Sequence, residues 1–249
     1  MKMQLRSFAR RVVTTSVYWS GISRLYELAA NPAGAIILMY HSVAPDHLAA
    51  FIAPRNRISP DVFDAQMAFL CKSRQVAPLS QVVEQIMAGD SPLPGTVCIT
   101  FDDGYLDNLT TAAPILEKYE LPATLYLATG YVDRGESQWA DTLYWVFQQR
   151  TADSLQIPSL AINATGLATG TAHKGLLETL HRHLLEAEYH ERKQLLDEIK
   201  RQLAPDECSP RLTLTWDEVR ELRRRFPLFE IGGHTRDHLD LRKYRGNKA

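Results

Sequence analysis

The sequence predicts an α/β protein in which parallel strands alternate with helices. Three short apolar runs, "AIILMY" (35–40), "TVCITF" (96–101) and "PATLYLAT" (122–129), have the length and composition of buried strands. A helical pattern over residues 106–120 separates the second run from the third. Strands that alternate with helices pair in parallel through crossover connections. The content of 45% hydrophobic and 23% charged residues in 249 is typical of a globular protein.

The first strand is followed by a helix predicted over residues 59–72. Ser59 is suited to the N-cap of this helix, and Pro60 to its first position, where the missing N–H costs nothing. A weaker strand, "QVAPL" (75–79), comes next, and a helix over residues 80–89 is closed by its final glycine. This part of the chain therefore continues the strand–helix alternation.

The alternation is interrupted from about residue 136 to residue 212. Helical segments surround a Thr/Ala/Gly-rich loop at 163–172, which predicts a helical insertion. The alternation resumes where Thr215 and Glu218 have the spacing of a capping box, and "PLFEIG" (227–232) is the last strand. About five parallel strands result, which suffice for an open sheet but are too few to close a βα barrel.

Residues 1–34 are predicted to form a basic amphipathic helix ahead of a domain that spans 35–249. Within residues 1–28, Lys and Arg exceed Glu, and apolar residues recur at near-helical spacing. Such a helix either packs on the domain or makes peripheral contact with a membrane surface. The segment lacks the apolar core and cleavage site of a signal peptide and the length of a transmembrane span. The compartment, cytoplasmic or membrane-peripheral, stays open.

Charge, cysteine usage and motif content exclude several function classes. The net charge of −1 gives no basic field for nucleic acid. Cys71, Cys98 and Cys208 are widely spaced and odd in number, so we expect buried thiols rather than disulfides or a cysteine zinc site. No dinucleotide-binding G-x-G-x-x-G after a strand, P-loop or G-x-S-x-G nucleophile elbow is found.

The stretch "ITFDDGYLDN" (99–108) contains the first candidate site residues. Asp102 and Asp103 end an apolar strand and precede Gly104. Active sites of parallel βα folds lie at the carboxyl ends of strands. Adjacent strand residues point to opposite faces, so both carboxylates serve one site only if the chain turns, which Gly104 permits. A single aspartate here would be read as a helix cap, whereas the pair favours function.

The stretch "IGGHTRDH" (231–238) contains the second group. His234 and His238 lie four residues apart after a strand, so on a helical turn they would share one face at the same rim as the two aspartates. Two imidazoles and a carboxylate with an open position suit a catalytic Zn²⁺ or similar divalent ion. The histidine spacing alone is weak evidence. We interpret three further histidines as surface residues of the insertion: His181, His183 and His190.

The histidines also bear a partial likeness to two other kinds of metal site. Thr235 stands where a zincin protease has its glutamate, which disfavours that class. "HLD" (238–240) matches half of a non-haem iron facial triad, but no later histidine completes it. His41, at the end of the first strand, is either a capping or core histidine or a residue of the active-site rim.

In that order, "MYHSV", "TFDDGY" and "EIGGHTRDHLDL" resemble the polysaccharide deacetylases, carbohydrate esterase family 4. The resemblance runs from about residue 35 to the end, interrupted by the insertion, and "LTWDEVREL" also fits it. It implies a deformed (β/α) barrel, which would be incomplete here and carry a helical insertion and an N-terminal helix. It also implies hydrolysis of acetyl groups from N- or O-acetylated oligo- or polysaccharides, substrates that point to the cell envelope.

The resemblance also implies roles for residues. Asp102 matches the general base, while Asp103, His234 and His238 match the ligands of a divalent metal, for which Zn²⁺ is the first candidate. Tyr105 of the "TFDDGY" motif joins His41 as a candidate rim residue. The family's Arg-Pro-aromatic segment and its later histidine have no match after "HTRDH". We therefore expect a C-terminally truncated deacetylase, or alternatively a catalytically incomplete glycan-binding or degenerate protein.

Overall fold

A computed structural model describes residues 34–167, 172–239 and 241, and its centre is a parallel five-stranded sheet. The strands are β1 (Ala35–Tyr40), β4 (Gln75–Val76), β5 (Thr96–Asp102), β6 (Ala123–Leu127) and β9 (Phe229–Gly233). Their order is β1-β5-β6-β9, with β4 paired to the beginning of β5. The predicted α/β class is confirmed. In the described part of the chain no pairing joins β1 to β9, so the sheet is open.

Eight helices with regular α geometry lie in the described ranges. They are α1 (Pro60–Ser73), α2 (Leu79–Met87), α3 (Ala113–Lys118), α4 (Thr129–Arg134), α5 (Trp139–Gln148), α6 (Ala172–Glu186), α7 (Tyr189–Leu203) and α8 (Trp216–Arg225). Two short strands, β2 (Ser42–Val43) and β3 (Arg57–Ile58), pair in parallel outside the main sheet. None of the helices described is long and apolar enough to cross a membrane.

The main apolar core lies between the sheet and its helices. Every residue of β5 is buried, as its continuous apolar run predicts. Phe63 of α1 packs against Phe101 of β5 with ring centroids 5.8 Å apart, and fully burying one such side chain contributes about 1.5–3 kcal/mol. The prediction of a buried strand was wrong for β1, because Ile37 and Met39 are 56% and 63% exposed. This strand pairs only with β5 among the described residues.

The predicted helix over residues 106–120 is divided into two geometries. Residues Asn108–Ala112 form a π-helical turn that leads into α3. Pro114 near the start of α3 has no N–H to donate to the carbonyl one turn earlier, and the wider π turn precedes it. The ends of the helices predicted over residues 59–72 and 80–89 agree closely with α1 and α2. Ser59 precedes α1, and Gly89 follows α2 with a positive φ of 87°.

The insertion contains a hairpin that the sequence did not predict. Strands β7 (Ser154–Ile157) and β8 (Ile162–Thr165) pair in antiparallel fashion, so the first part of the expected 163–172 loop is a strand. The hairpin and α5, α6 and α7 share a second apolar cluster, which includes Trp139, Trp145, Phe147, Leu155, Ile157, Leu180, Leu184, Ile199 and Leu203. Residues 1–33, with the predicted N-terminal helix and membrane contact, and 168–171 lie outside the described residues.

Two smaller sequence predictions were wrong. Cys98 is buried as expected, but Cys71 and Cys208 are exposed. His181 is not a free surface residue, because its ring lies 4.7 Å from that of Trp139 and its Nε2 contacts the Arg55 guanidinium. His181 is half-buried because α6 packs against α5 at this point. The polarity of a single histidine does not reveal such packing.

The capping box of α8 gives a stability prediction. Thr215 N–H donates to Glu218 Oε2 at 2.7 Å, and the Glu218 N–H donates to Thr215 Oγ1 at 3.3 Å. We expect Thr215→Ala to lower the free energy of unfolding by about 1 kcal/mol, because an N–H at the helix start loses its acceptor. Urea denaturation would measure the change. Thr110→Ala, at an exposed threonine, is the control and should stay within about 0.5 kcal/mol of the parent.

Candidate metal centre

The register of the parallel strands brings the candidate residues to one edge of the sheet. Asp102 pairs with Tyr126, and Tyr126 pairs with Gly232, so the three lie in one row across β5, β6 and β9. Asp103 directly follows the last residue of β5, and His234 directly follows the last residue of β9. Glycine is needed at position 232, because a Cβ there would lie 2.6 Å from ring atoms of Tyr126.

Three side chains converge at this edge. Candidate ligand atoms of Asp103, His234 and His238 all lie within 4.8 Å of one another. Asp103 Oδ1 is 3.8 Å from His234 Nε2 and 3.3 Å from His238 Nε2. The same Oδ1 is buried and has no hydrogen-bond partner. A buried oxygen left without a partner is costly, and two imidazoles with one carboxylate form a donor set that fits a divalent metal ion.

A left-handed turn separates the two aspartates. Asp103 has φ 75° and Gly104 has φ 80°, so the chain leaves the strand direction immediately after Asp102. The positive φ would strain any other residue at position 104, and a Cβ there would lie 2.7 Å from Leu127 Cδ2. Asp102 is 8% exposed and lies outside the three-residue group. The turn predicted at Gly104 is therefore present.

The two histidines lie on an irregular turn rather than on the helical turn that we expected. In this histidine turn (residues 234–239), Thr235 and His238 have positive φ values of 58° and 51°. Its backbone is held by neighbouring segments. The hydrogen bonds are His234 N to Leu127 O at 2.8 Å, Thr129 N to Thr235 O at 3.3 Å, and Gly130 N to Arg236 O at 2.8 Å. Tertiary contacts, rather than helical periodicity, bring the rings together.

Burial shifts the pKa values of two members of the group, Asp103 and His238. It raises the pKa of Asp103 to about 7, with the adjacent Asp102 acting in the same direction and His234 opposing. Burial also lowers the pKa of His238, which favours the neutral imidazole that binds metals. A cation between these side chains would favour the ionised carboxylate. The electrostatics thus agree with a cation site.

His41 lies beside this group. Its Nε2 is 3.9 Å from Asp103 Oδ2, and burial lowers its pKa. The His41 carbonyl accepts a hydrogen bond from Asn108 Nδ2 at 2.7 Å. Buried Asp107 accepts from Ser42 Oγ and from the Val43 N–H, both at 2.7 Å. These contacts fix the segment after β1 against the π-helical turn.

Tyr105 does not line a rim. It is 2% exposed, and its hydroxyl donates to Asp141 Oδ2 at 2.5 Å. Asp141 is buried on α5 and also accepts from the Ala53 N–H at 2.8 Å. Burial raises the pKa of Tyr105 well above its usual value. The tyrosine therefore connects the aspartate turn to the insertion from the interior.

Sequence reasoning missed Asp107, Asp141 and Arg192. Asp107 stands in the same "ITFDDGYLDN" stretch as the aspartate pair, and that proximity was its only signal. Asp141 and Arg192 lie on amphipathic helices of the insertion, where isolated charged residues are usually solvent-exposed. Both are buried, and only the tertiary fold reveals this.

Comparisons with known proteins agree on one family. The family model described as polysaccharide deacetylase matches residues 90–248. A Bacillus subtilis (strain 168) protein named "Putative polysaccharide deacetylase YxkH" is 33% identical over 98 residues, which are 39% of this chain and 33% of that protein. This chain therefore matches about a third of the length of its curated relative.

Solved structures of other proteins are also similar to this chain. A de-N-acetylase from Aggregatibacter actinomycetemcomitans has TM-score 0.42 and 21% identity, covering 82% of this chain and 55% of that one. IcaB from Ammonifex degensii has TM-score 0.34 and 21% identity, covering 78% of this chain and 97% of that one.

The buried Asp141 predicts a pH dependence of stability. Its pKa is raised from 3.8 to about 6, chiefly by burial. As pH rises from about 4 to about 6 the unfolded state releases this proton first, so the free energy of unfolding falls. Asp141→Asn cannot titrate, so we expect its fall over this range to be smaller, by up to about 3 kcal/mol.

Urea denaturation of the metal-free protein at pH 4 and pH 7 would measure this difference. Asp90→Asn, at an exposed aspartate, is the control and should keep the parent's pH dependence. If the free energy of unfolding of Asp141→Asn fell as steeply with pH as that of the parent, the attribution of this pH dependence to Asp141 would be wrong.

Proposed function

We propose that this chain, which belongs to the polysaccharide deacetylase family, hydrolyses acetyl groups from N- or O-acetylated oligo- or polysaccharides at the Asp–His–His group. One observation carries the proposal. The unpartnered Asp103 Oδ1 faces two imidazole Nε2 atoms at the carboxyl end of a parallel sheet, directly after Asp102. Active sites of parallel α/β folds lie at that end of the sheet.

Asp103, His234 and His238 would hold a divalent metal ion, and Zn²⁺ fits their donors best. When bound, such an ion lowers the pKa of its water to roughly 7 and polarises a carbonyl. The protein's own part is to keep three ligands close and one coordination position open. The left-handed backbone at Asp103 and His238 supports this role. Such disfavoured conformations persist only where the surrounding structure holds them in place, so both ligands are fixed by their surroundings.

Asp102 would act as general base. It precedes the ligand Asp103, lies outside the three-residue group and keeps a small exposed surface. A carboxylate beside the attacking water can accept its proton, and such positioned bases contribute about 10²- to 10⁴-fold in rate. The backbone turn at residues 103 and 104 supports the division of roles between the two aspartates. His41 would border the acyl-binding space, since it lies 3.9 Å from Asp103.

Acetate release is the direct test of the proposed reaction. The purified chain, loaded with Zn²⁺, would be incubated with N-acetylated chito-oligosaccharides and with an O-acetylated xylan, and acetate would be measured enzymatically. We expect acetate from at least one substrate and none after chelation of the metal. Glycan binding without acetate release from either substrate would instead favour the glycan-binding alternative.

Two substitutions separate the proposed roles. Asp102→Asn should keep Zn²⁺ affinity while lowering kcat by about 10²- to 10⁴-fold, because only the proton acceptor is lost. His234→Ala should weaken Zn²⁺ binding by more than roughly 10- to 100-fold, which is the loss typical when a residue that only hydrogen-bonds to a metal ligand is replaced. Zinc titration and acetate release would be measured on both variants.

Exposed residues provide matched controls for these two variants. Asp90→Asn and His190→Ala make the same chemical changes at the surface and should leave both measurements unchanged. Equal loss of zinc in Asp102→Asn and His234→Ala would contradict the assignment of Asp102 as base rather than ligand.

A further inference from the structure

We propose that Arg192, a buried arginine on insertion helix α7, is a positioning residue for the histidine turn and thereby sets the metal affinity of the site. The inference rests on the proposed metal centre. The insertion itself carries none of the candidate ligands. Arg192 is 2% exposed, which is unusual for an arginine.

Among the described residues, Arg192 donates its hydrogen bonds to neutral groups, which is unusual for an arginine, and Tyr131 is one of these partners. Its Nε donates to Leu184 O at 2.9 Å, Nη2 to Ala187 O at 3.1 Å, and Nη1 to Asp237 O at 3.2 Å. Its guanidinium carbon lies 5.1 Å from the ring centroid of Trp139. Among the ion pairs of the described residues, none joins Arg192 to a carboxylate.

These partners can balance the buried charge. Leu184 lies in the last turn of α6 and Ala187 follows it, so both carbonyls belong to the negative end of that helix. A cation over an aromatic face adds further attraction. Arg192 is therefore retained in the interior by α6 and Trp139. Its third hydrogen bond then connects this fixed guanidinium to the histidine turn.

The third bond acts directly beside a candidate ligand. Asp237 precedes His238, whose φ of 51° is disfavoured for a residue with a side chain. Holding the Asp237 carbonyl restricts the peptide that leads into that conformation. Without this restraint the free turn would sample other conformations, and metal binding would have to reorder them. Loss of Arg192 should thus weaken metal binding even though no ligand changes.

A second arginine holds the same residue through a different atom. Arg134 Nη2 donates to Asp237 Oδ1 at 2.8 Å, and Arg134 Nε donates to Glu136 Oε2 at 2.8 Å. Glu136 in turn accepts from Lys193 of α7 at 3.3 Å. The insertion therefore reaches Asp237 by two routes, one direct and buried, the other through partly exposed ion pairs. Buried contacts are screened less by solvent, which favours Arg192 as the stronger restraint.

Zinc affinity of the metal-free protein tests the proposal. Arg192→Met removes all three donors while keeping an apolar stem, and we expect its Zn²⁺ dissociation constant to rise by about 10- to 100-fold. Competition with a chromophoric chelator would measure it. The Co²⁺ absorption spectrum at saturation should also change, because it reports ligand geometry.

Two control variants on α7 separate positioning from stability. Arg201→Met makes the same change at an exposed site, where the guanidinium donates to Glu198, and it should leave the dissociation constant unchanged. Ile199→Val trims a fully buried side chain. It should lower Tm without changing zinc affinity, as expected for a merely structural effect.

The outcomes are distinguishable. If the parent chain binds no zinc at this site, the proposed function fails. If the parent binds zinc and folded Arg192→Met binds it equally well, the role of Arg192 is wrong. If Arg192→Met does not fold, Arg192→Lys is the variant to measure, because the single lysine nitrogen cannot make the three hydrogen bonds of the guanidinium. Parent-like zinc affinity in folded Arg192→Lys would then overturn the proposal, and a several-fold loss would support it.

Discussion

The parallel register of β5, β6 and β9 is the constraint on which the candidate site depends. The row of Asp102, Tyr126 and Gly232 aligns the carboxyl ends of the three strands. A slip of one residue would turn every side chain of a strand to the opposite face and separate Asp103 from the histidines. The packing of the Tyr126 ring against Gly232 helps to specify this register, since any Cβ at 232 would collide with the ring.

Such a site concentrates groups that a protein interior disfavours. Burial raises the pKa values of Asp103, Asp107 and Asp141 together, to between about 6 and about 7. Asp107 and Asp141 are compensated by backbone and hydroxyl donors, whereas Oδ1 of Asp103 is not. The first two carboxylates therefore act as internal connectors between segments. The uncompensated one is the carboxylate that faces the histidines, where a cation would offset its desolvation.

Much of this arrangement could be predicted from sequence, because it depends on local pattern. Apolar runs identified the five strands of the sheet, and polar residues directly after two of them identified Asp103 and His234. The β7–β8 hairpin was missed because most of β8 lies in the Thr/Ala/Gly-rich stretch predicted as a loop, and β7 lies in a stretch assigned only to the helical insertion. The roles of Asp141 and Arg192 could not be predicted at all. A charged residue on an amphipathic helix has the same local pattern whether it meets water or another layer of the fold.

The hydrogen bonds that shape the histidine turn mostly reach its main chain. The carbonyls of Thr235, Arg236 and Asp237 accept from Thr129, Gly130 and Arg192. A carbonyl is common to all amino acids, so replacing Arg236 leaves these acceptors in place. Gly130 is not replaceable in the same way, because a Cβ there would lie 2.8 Å from the backbone oxygen of Arg236. Variation at Arg236 is therefore compatible with a fixed turn, and several of the residues that preserve its shape lie upstream, outside the motif itself.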